Sequence, residues 1–291
     1  MFSLSSPYIP ALILSLIPMI CWGTMDFLSS RMAKQTNAII GLFLAQFLGL
    51  LMLFPLIPLI KEQLSQPLTI LIVALFPFLA WISYLKATKK GIVSILGPVS
   101  RTGFLISSFL GILLLNEDIT TVKFISFILI LSGGIFLTFE WSNIKHIKST
   151  KLFSGVPLAL LSAILIGSNL FLTAPLSRTN GWYYTTLVSR LGVTFYSLVF
   201  LLLSTKPIIG SWKQFPWKIA LGVALTDVIG LGAYNFAVTR YEVSYVSVIA
   251  SCATLVTIIL ARLFLKEKLT KIQLFGVVII LFGIILLQNI N

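Results

Sequence analysis

The sequence predicts an all-α membrane protein of ten transmembrane helices, arranged as two inverted five-helix repeats around a central cavity. Three observations carry this expectation: the composition, the number of long apolar runs, and self-similarity at a nearly fixed offset. Of the 291 residues, 58% are hydrophobic and 10% charged, whereas a soluble domain has about a quarter of its residues charged. Mean hydropathy is +1.04. A soluble fold of this length needs a polar coat that these residues cannot build, so lipid is the expected solvent. The net charge of +13 does not point to nucleic acid, because the bases are scattered between apolar runs rather than gathered into a patch.

Cysteine and histidine usage excludes further classes. Cys21 and Cys252 both fall in apolar runs, and the single histidine, His146, lies in a basic connector. Neither a disulfide framework nor a metal cluster is expected, and no cofactor beyond a coupling ion, a proton or an exchange substrate. Residues 1–23 have an apolar stretch without a basic leading region or a small-residue cleavage site, so the first helix is expected to stay in the mature protein.

Ten apolar segments of about the 20 residues needed to span a bilayer occupy 9–33, 38–60, 67–88, 92–115, 120–140, 152–174, 182–204, 216–239, 243–265 and 270–289. Most connectors are short and carry turn or charged residues, such as Lys61-Glu62, Lys89-Lys90-Gly91 and Thr179-Asn180-Gly181. The longest polar stretch, residues 141–151, falls at mid-chain and reads as a linker between a first half, 1–140, and a second, 152–291. At an offset of 150, residues 84–137 align without a gap onto 234–287. Tyr84 meets Tyr234, Ala87 meets Ala237, Val93-Ser94 meets Val243-Ser244, Glu117 meets Glu267, Thr120 meets Thr270 and Gly133 meets Gly283. Earlier in the halves the offset is about 144, pairing Gly23 with Gly167 and Gln46 with Arg190. The unit is therefore five helices, duplicated.

Five is odd, so the second copy enters the membrane upside down. Let side A hold both termini. It carries Lys61, Lys123, Arg178 and Arg240 against Glu62, Glu117, Asp118 and Glu242. Side B carries fourteen bases, among them Arg31, Lys34, Lys89, Lys90, Lys145, Lys218, Lys266 and Lys271, against only Glu140 and Glu267. By the bias of Lys and Arg toward cytoplasmic loops, side B should be cytoplasmic and both termini should face out.

Several motifs together resemble the EamA-like branch of the drug/metabolite transporter superfamily. They are Trp22-Gly23 in the first span, Tyr84 to Ala87 and Tyr234 to Ala237 closing the third and eighth, Ser94 and Pro98 in the fourth, and the runs Leu115 to Glu117 and Leu265 to Glu267 before the fifth and tenth. The resemblance covers essentially the whole chain. It implies a ten-helix carrier with a central cavity that moves small organic metabolites by alternating access. Two departures from the pattern are Ile166-Gly167 and Val248, where the first half has Trp22-Gly23 and Pro98. The family's usual drawing, with both termini cytoplasmic, is opposite to the charge bias.

Charged side chains inside spans are costly and mark candidate sites. Asp26 lies about seven residues from side B, roughly 10 Å in at the helical rise. Arg101 and Asp227 lie about nine and eleven residues from side B, and Arg190 about eight from side A. All four fall in a band around the midplane, where carriers built from such repeats hold substrate. Arg262, close to side B, is expected to snorkel. Tyr183, Thr186, Arg190, Thr194 and Ser197 share one helical face, Asp227 shares one with Gly230 and Tyr234, and Asp26 lies a turn from Trp22. On span four, Ser94, Gly97 and Pro98 share the face of Arg101, and Pro98 frees one backbone carbonyl. Asn169 and Gln46 are secondary candidates.

The candidate substrate-binding set is thus Trp22, Asp26, Arg101, Tyr183, Arg190, Asp227 and Tyr234. The charges fit equally a set of ion pairs that only ties helices together, and Tyr84 and Tyr234 fit interfacial anchors as well as substrate contacts. The stripe Gly103, Ser107, Gly111 and its counterpart Ala253, Thr257, Ala261 are expected to let spans four and nine pack closely. Glu117 and Glu267 read as loop residues, with Thr120 and Thr270 capping the following helices and Gln273 completing a capping box.

Together these readings point to a secondary carrier for a small polar or zwitterionic metabolite of the amino-acid type, with a sugar or nucleotide-sugar carrier as the alternative. Arg101 and Arg190 would meet anionic groups, Asp26 or Asp227 an amine or a coupling proton, and Trp22, Tyr183 and Tyr234 the organic body. The partners are that metabolite and the lipid bilayer, and one chain suffices, so a monomer meets every requirement. No Gly-rich phosphate loop is present, so transport runs on a gradient or by exchange. An intramembrane enzyme lacks its residues: the two intramembrane acids lie on different helices and no His, metal motif or nucleophile with a base is at hand.

Overall fold

The computed structural model describes residues 8–59, 65–90, 93–138, 155–203, 215–266 and 270–288. They form α1 (Tyr8–Ala33), α2 (Ala38–Leu53), a 3-10 turn (Phe54–Leu59), α3 (Pro67–Lys90), α4 (Val93–Arg101), α5 (Gly103–Leu114) and α6 (Thr121–Thr138) in the first half. The second half has α7 (Val156–Asn180), α8 (Trp182–Leu202), α9 (Trp217–Arg240), α10 (Val243–Ser251), α11 (Ala253–Leu265) and α12 (Lys271–Gln288). No strand occurs among the described residues. Eight helical segments are long and apolar enough to cross a membrane, α10 and α11 counting as one, and two shorter apolar helices cover Val99–Leu114 and Thr121–Leu137. The linker 141–151, His146 and Glu267 lie outside the described residues.

Helix ends follow local chemistry. The Asn37 side chain accepts the Ile39 amide at 2.9 Å and starts α2. Pro55 and Pro58 have no amide proton to donate, and there the chain tightens into the 3-10 turn. Thr270 and Gln273 exchange backbone-to-side-chain bonds of 2.9 and 3.2 Å before α12, the reciprocal box the spacing predicts. The span expected to end at 174 runs through Pro175 to Asn180. Only Gly181, at φ 82, separates it from α8, a backbone conformation that a side chain would strain.

The expectation of one continuous helix for spans four and nine is corrected at equivalent positions. The first is interrupted at Thr102 and the second at Cys252, 150 residues later. Next to each interruption a hydroxyl takes a carbonyl three residues back: Thr102 Oγ1 donates to Val99 O at 2.7 Å and Ser251 Oγ to Val248 O at 2.6 Å. The backbone does the same, with i to i−3 bonds from Thr102 N to Val99 O and Cys252 N to Ile249 O. Pro98 is not the common cause, because span nine has Val248 in its place.

Packing between the halves is reciprocal. α1 lies along α9 and α11, and its counterpart α7 lies along α3 and α5. A Cβ on Gly23 would fall 2.5 Å from Val256 Cβ, and one on Gly167 would fall 2.6 Å from Ile106 Cβ. Both are under any real carbon contact, so the absence of a side chain is what lets each crossing form. Thr257 Oγ1 donates to Gly23 O at 2.9 Å across the first of them. The small-residue stripes of spans four and nine are therefore used in two ways: Gly103 and Thr257 against α7 and α1, Ser107 and Gly111 against α10 of span nine.

α6 and α12 make the same kind of exchange with each other: a Cβ on Gly133 would meet Ile280 Cγ1 at 2.6 Å, and one on Gly283 would meet Ile130 Cγ1 at 2.8 Å. Gly133→Ala should therefore destabilise the bundle by about 1–3 kcal/mol through overpacking. A Cβ at the adjacent Gly134 meets nothing within 4 Å, so Gly134→Ala should leave stability unchanged or slightly raised. Unfolding of the two purified variants in detergent, side by side, checks the pair.

Candidate functional site

Two arginine–aspartate pairs form within the bundle. Arg101, the last residue of α4, pairs through Nη2 with Asp26 Oδ2 on α1, joining helices 75 positions apart in sequence. Both side chains keep about a quarter of their surface exposed, 29% and 27%. The Arg101 guanidinium also lies over the Phe104 ring, 5.9 Å from its centroid. Phe104 in turn contacts Trp22, whose ring lies one turn from Asp26, with centroids 5.7 Å apart. Trp22 is buried between α1, α5 and α9 and packs against Tyr234 at 5.6 Å.

The second pair is Arg190 on α8 with Asp227 on α9, Nη1 to Oδ2 at 2.6 Å. Gln46 on α2 completes a triad: it accepts from Arg190 Nη1 through Oε1 and donates through Nε2 to Asp227 Oδ2 at 3.0 Å. Arg190 is nearly fully buried, with a side chain only 4% exposed. α2 approaches α9 closely beside it, where a Cβ on Gly49 would lie 2.8 Å from Val228 Cγ2 and 3.8 Å from Arg190 Cδ.

The two pairs share one depth. α1 and α9 run antiparallel in close contact, Gly230 lying against Trp22 and Gly222 against Leu28. That register sets Asp26 level with Leu225, within one turn of Asp227. The residues singled out on charge alone are thus gathered by the fold into one layer.

The tyrosines sit elsewhere. Tyr183, at the side-A end of α8, donates to Leu53 O and packs on Leu53 and Val228. Seven residues separate it from Arg190, about 10 Å along the helix. Tyr234 is fully buried, and its hydroxyl is held by Ser247 at 2.8 Å, Ser107 at 3.4 Å and Leu170 O at 3.3 Å. On α8 the predicted polar face is buried throughout, and Thr186 accepts from Asn235 Nδ2 at 2.9 Å. The side chains of Ser94 and Pro98 lie outside the described ones.

Sequence reasoning missed a polar cluster on side A. Glu117 does not serve its own helix: its carboxylate accepts the amides of Val243 at 2.6 Å and Ser244 at 2.9 Å, capping α10 in the other half. Lys123, nearly buried, pairs with Glu242 and donates to Asp118 O at 2.6 Å. Arg178 holds Val238 O at 2.8 Å and Tyr241 O at 3.2 Å. A cavity of about 490 Å³ opens there, lined by Arg178, Arg240, Asp118 and Glu242 among others. The one usable signal was the conflict of an acid placed ahead of a helix that Thr120 already caps, through its 3.2 Å bond from the Lys123 amide.

The pairs differ in burial, and so should their contributions. Arg190→Gln leaves Asp227 buried without its cation and should cost about 3–5 kcal/mol. Asp26→Asn, in the more open pair, should cost about 1 kcal/mol or less. Thermal unfolding of the two variants in detergent measures the contrast, and equal losses would mean that burial does not rank the pairs.

Comparison with known proteins agrees with the duplicated architecture. An uncharacterized protein of Methanocaldococcus jannaschii is 31% identical over 138 residues, which is 47% of this chain and 98% of that relative. That relative is therefore about the length of one half. A crystal structure of another protein superposes with a TM-score of 0.82, covering 95% of this chain and 96% of that one at 13% identity, a likeness of fold. The model of the EamA-like transporter family matches residues 9–139 and again 153–288. With each half matched in turn, this multi-pass membrane protein belongs to the EamA-like transporter family of the drug/metabolite transporter superfamily.

Proposed function

We propose that the protein is a secondary carrier for small polar or zwitterionic metabolites of the amino-acid type, working by alternating access across ten spans in two inverted repeats. The observation that carries the reading is the pair of arginine–aspartate contacts at one membrane depth. Their charges cancel, so a zwitterion adds both signs to the layer without adding net charge where charge is costly. Arg101 and Arg190 offer cations to its anionic group, and Asp26 or Asp227 meets its amine or carries a coupling proton. Trp22, backed by Tyr234, packs the organic body. Tyr183, with its hydroxyl committed to Leu53 O, contributes to the wall rather than to the centre.

Alternating access is supported by an asymmetry between equivalent contacts. The largest interfaces recur in both halves, but α5 packs against α10 on side A while, among the described residues, α4 and α11, their counterparts on side B, make no comparable contact; α9 likewise packs on α7 and α8 where α3 makes no comparable contact with α1 and α2. Ser107 bonds Ser247 at 3.1 Å and Ser108 bonds Ser244 O at 3.1 Å across the packed side. Asp26 and Arg101 are the more exposed members of the layer. This is the pattern of a carrier closed toward side A and open toward side B. Each acid is matched by an arginine, so the site is read as binding rather than catalytic.

Counterflow in liposomes, with a panel of labelled amino acids, sugars and nucleotide sugars, tests the reading. Flux of at least one amino acid is expected, with a loss of about tenfold or more when Arg101→Gln, Arg190→Gln and Asp227→Asn are combined, since each removed charge leaves a partner unpaired. No flux of any class, or flux indifferent to the triple change, would sink it.

Orientation follows from the same charges: side B faces the cytoplasm and both termini face out. A C-terminal tag should be labelled by an impermeant reagent in intact cells. Labelling only after permeabilisation would restore the family's usual topology.

A further inference from the structure

Resting on the carrier reading above, we infer that the Nε–Nη2 edge of Arg190 is the seat of the substrate carboxylate, taken side-on by two parallel N–H bonds. A guanidinium holds five N–H donors in a rigid fork. In Arg190 the Nη1 donors are engaged by Gln46 Oε1 and Asp227 Oδ2. Nε and Nη2 are buried and have no hydrogen-bond partner among the described residues. These two nitrogens make up the edge whose spacing matches the two oxygens of a carboxylate.

The way Asp227 is held separates a seat from a mere structural pair. Arginine–carboxylate pairs are frequently bidentate. Here a single oxygen, Asp227 Oδ2, takes both Arg190 Nη1 and Gln46 Nε2, and the bidentate edge is left without an acceptor among the described residues. A buried donor without a partner carries its full desolvation penalty, which an incoming oxygen pair would remove. The bonds from Nη1 to Gln46 Oε1 and Asp227 Oδ2 fix the plane of the guanidinium, so the fork is oriented before anything binds. The first half has no fork at the equivalent position, which Gln46 occupies.

A carboxylate suits this seat better than a phosphate of the same planar reach. Arg190 with Asp227 is neutral, and so is Arg101 with Asp26. A monoanion carrying its own ammonium group leaves the layer neutral, whereas a doubly charged phosphate puts two uncompensated charges at mid-membrane.

The test is binding to the purified full-length protein, read as a shift in Tm. Sodium acetate, glycine, methylammonium and inorganic phosphate are the probes, each titrated at constant ionic strength. Acetate and glycine should raise the Tm of the wild type and methylammonium should not. In Arg190→Lys, which keeps the charge against Asp227 but removes the fork, the concentration of acetate needed should rise by about tenfold or more. If methylammonium or phosphate stabilises as well as acetate, or if Arg190→Lys binds acetate unchanged, the assignment is overturned. The wild-type comparison of probes stands even if the variant fails to fold. Amino-acid flux with no carboxylate-specific shift would remove the seat and leave the carrier reading intact. A carboxylate shift lost in Arg190→Lys, with no flux, would leave the seat and remove the carrier.

Discussion

Lipid offers no hydrogen-bond partner, so a charge at mid-membrane persists only where the protein supplies one. That constraint organises the centre of this bundle. Asp26 and Arg101 tie α1 to α4, and Arg190, Asp227 and Gln46 tie α8 to α9 and α2. None of these groups finds its partner on its own helix, so the helices cannot separate at this depth without exposing a charge to hydrocarbon. The pairs therefore hold the layer together and, by the same bonds, gather there the groups able to meet a polar solute.

Around that layer the fold depends on backbone proximity rather than large side chains. Apolar side chains gain little from leaving lipid for protein, so association rests on close packing and scattered hydrogen bonds. The glycine crossings of α1 with α11 and of α7 with α5 fulfil that twice. On side A the contacts from Glu117, Ser107, Ser108 and Lys123 to the opposite half add a further set. An interhelical hydrogen bond in a membrane averages about 0.6 kcal/mol, so the whole side-A set amounts to a few kcal/mol. That is enough to bias the bundle toward close contact of its halves on this side.

Much of this is legible in the sequence, and what is not has physical causes. Composition and apolar runs reveal the membrane class, and the offset reveals the duplicated unit, because both are statements about many residues at once. Asp26, Arg101, Arg190 and Asp227 stand out because charge in an apolar run is rare. Their pairing does not: nothing in the sequence says whether Asp26 meets Arg101 or Arg190, since that depends on which helices lie side by side. The interruptions at Thr102 and Cys252 are equally hidden, as neither residue breaks a helix by propensity alone. The role of Glu117 escapes because its partners, the amides of Val243 and Ser244, lie 126 and 127 positions away and carry no side-chain signature. Tyr183 and Tyr234 were drawn to the centre by helical spacing, yet their hydroxyls are engaged by Leu53 O and Ser247.

The duplication and the charge pairs meet at one point. Under the repeat, Gln46 corresponds to Arg190, and the two are hydrogen-bonded to each other. A residue that touches its own counterpart lies on the axis relating the halves, where a perfect duplication would set two arginines face to face in low dielectric. A neutral amide on one side resolves the conflict. Gln46 can accept from Arg190 and donate to Asp227, which an arginine cannot do because it has no acceptor. Asp227 breaks the symmetry in the same direction, its counterpart being Pro77. Glutamine in place of a second arginine thus leaves one fork at this contact, with Asp227 as its counter-charge, and it is this asymmetry that gives a duplicated scaffold one such site there instead of two.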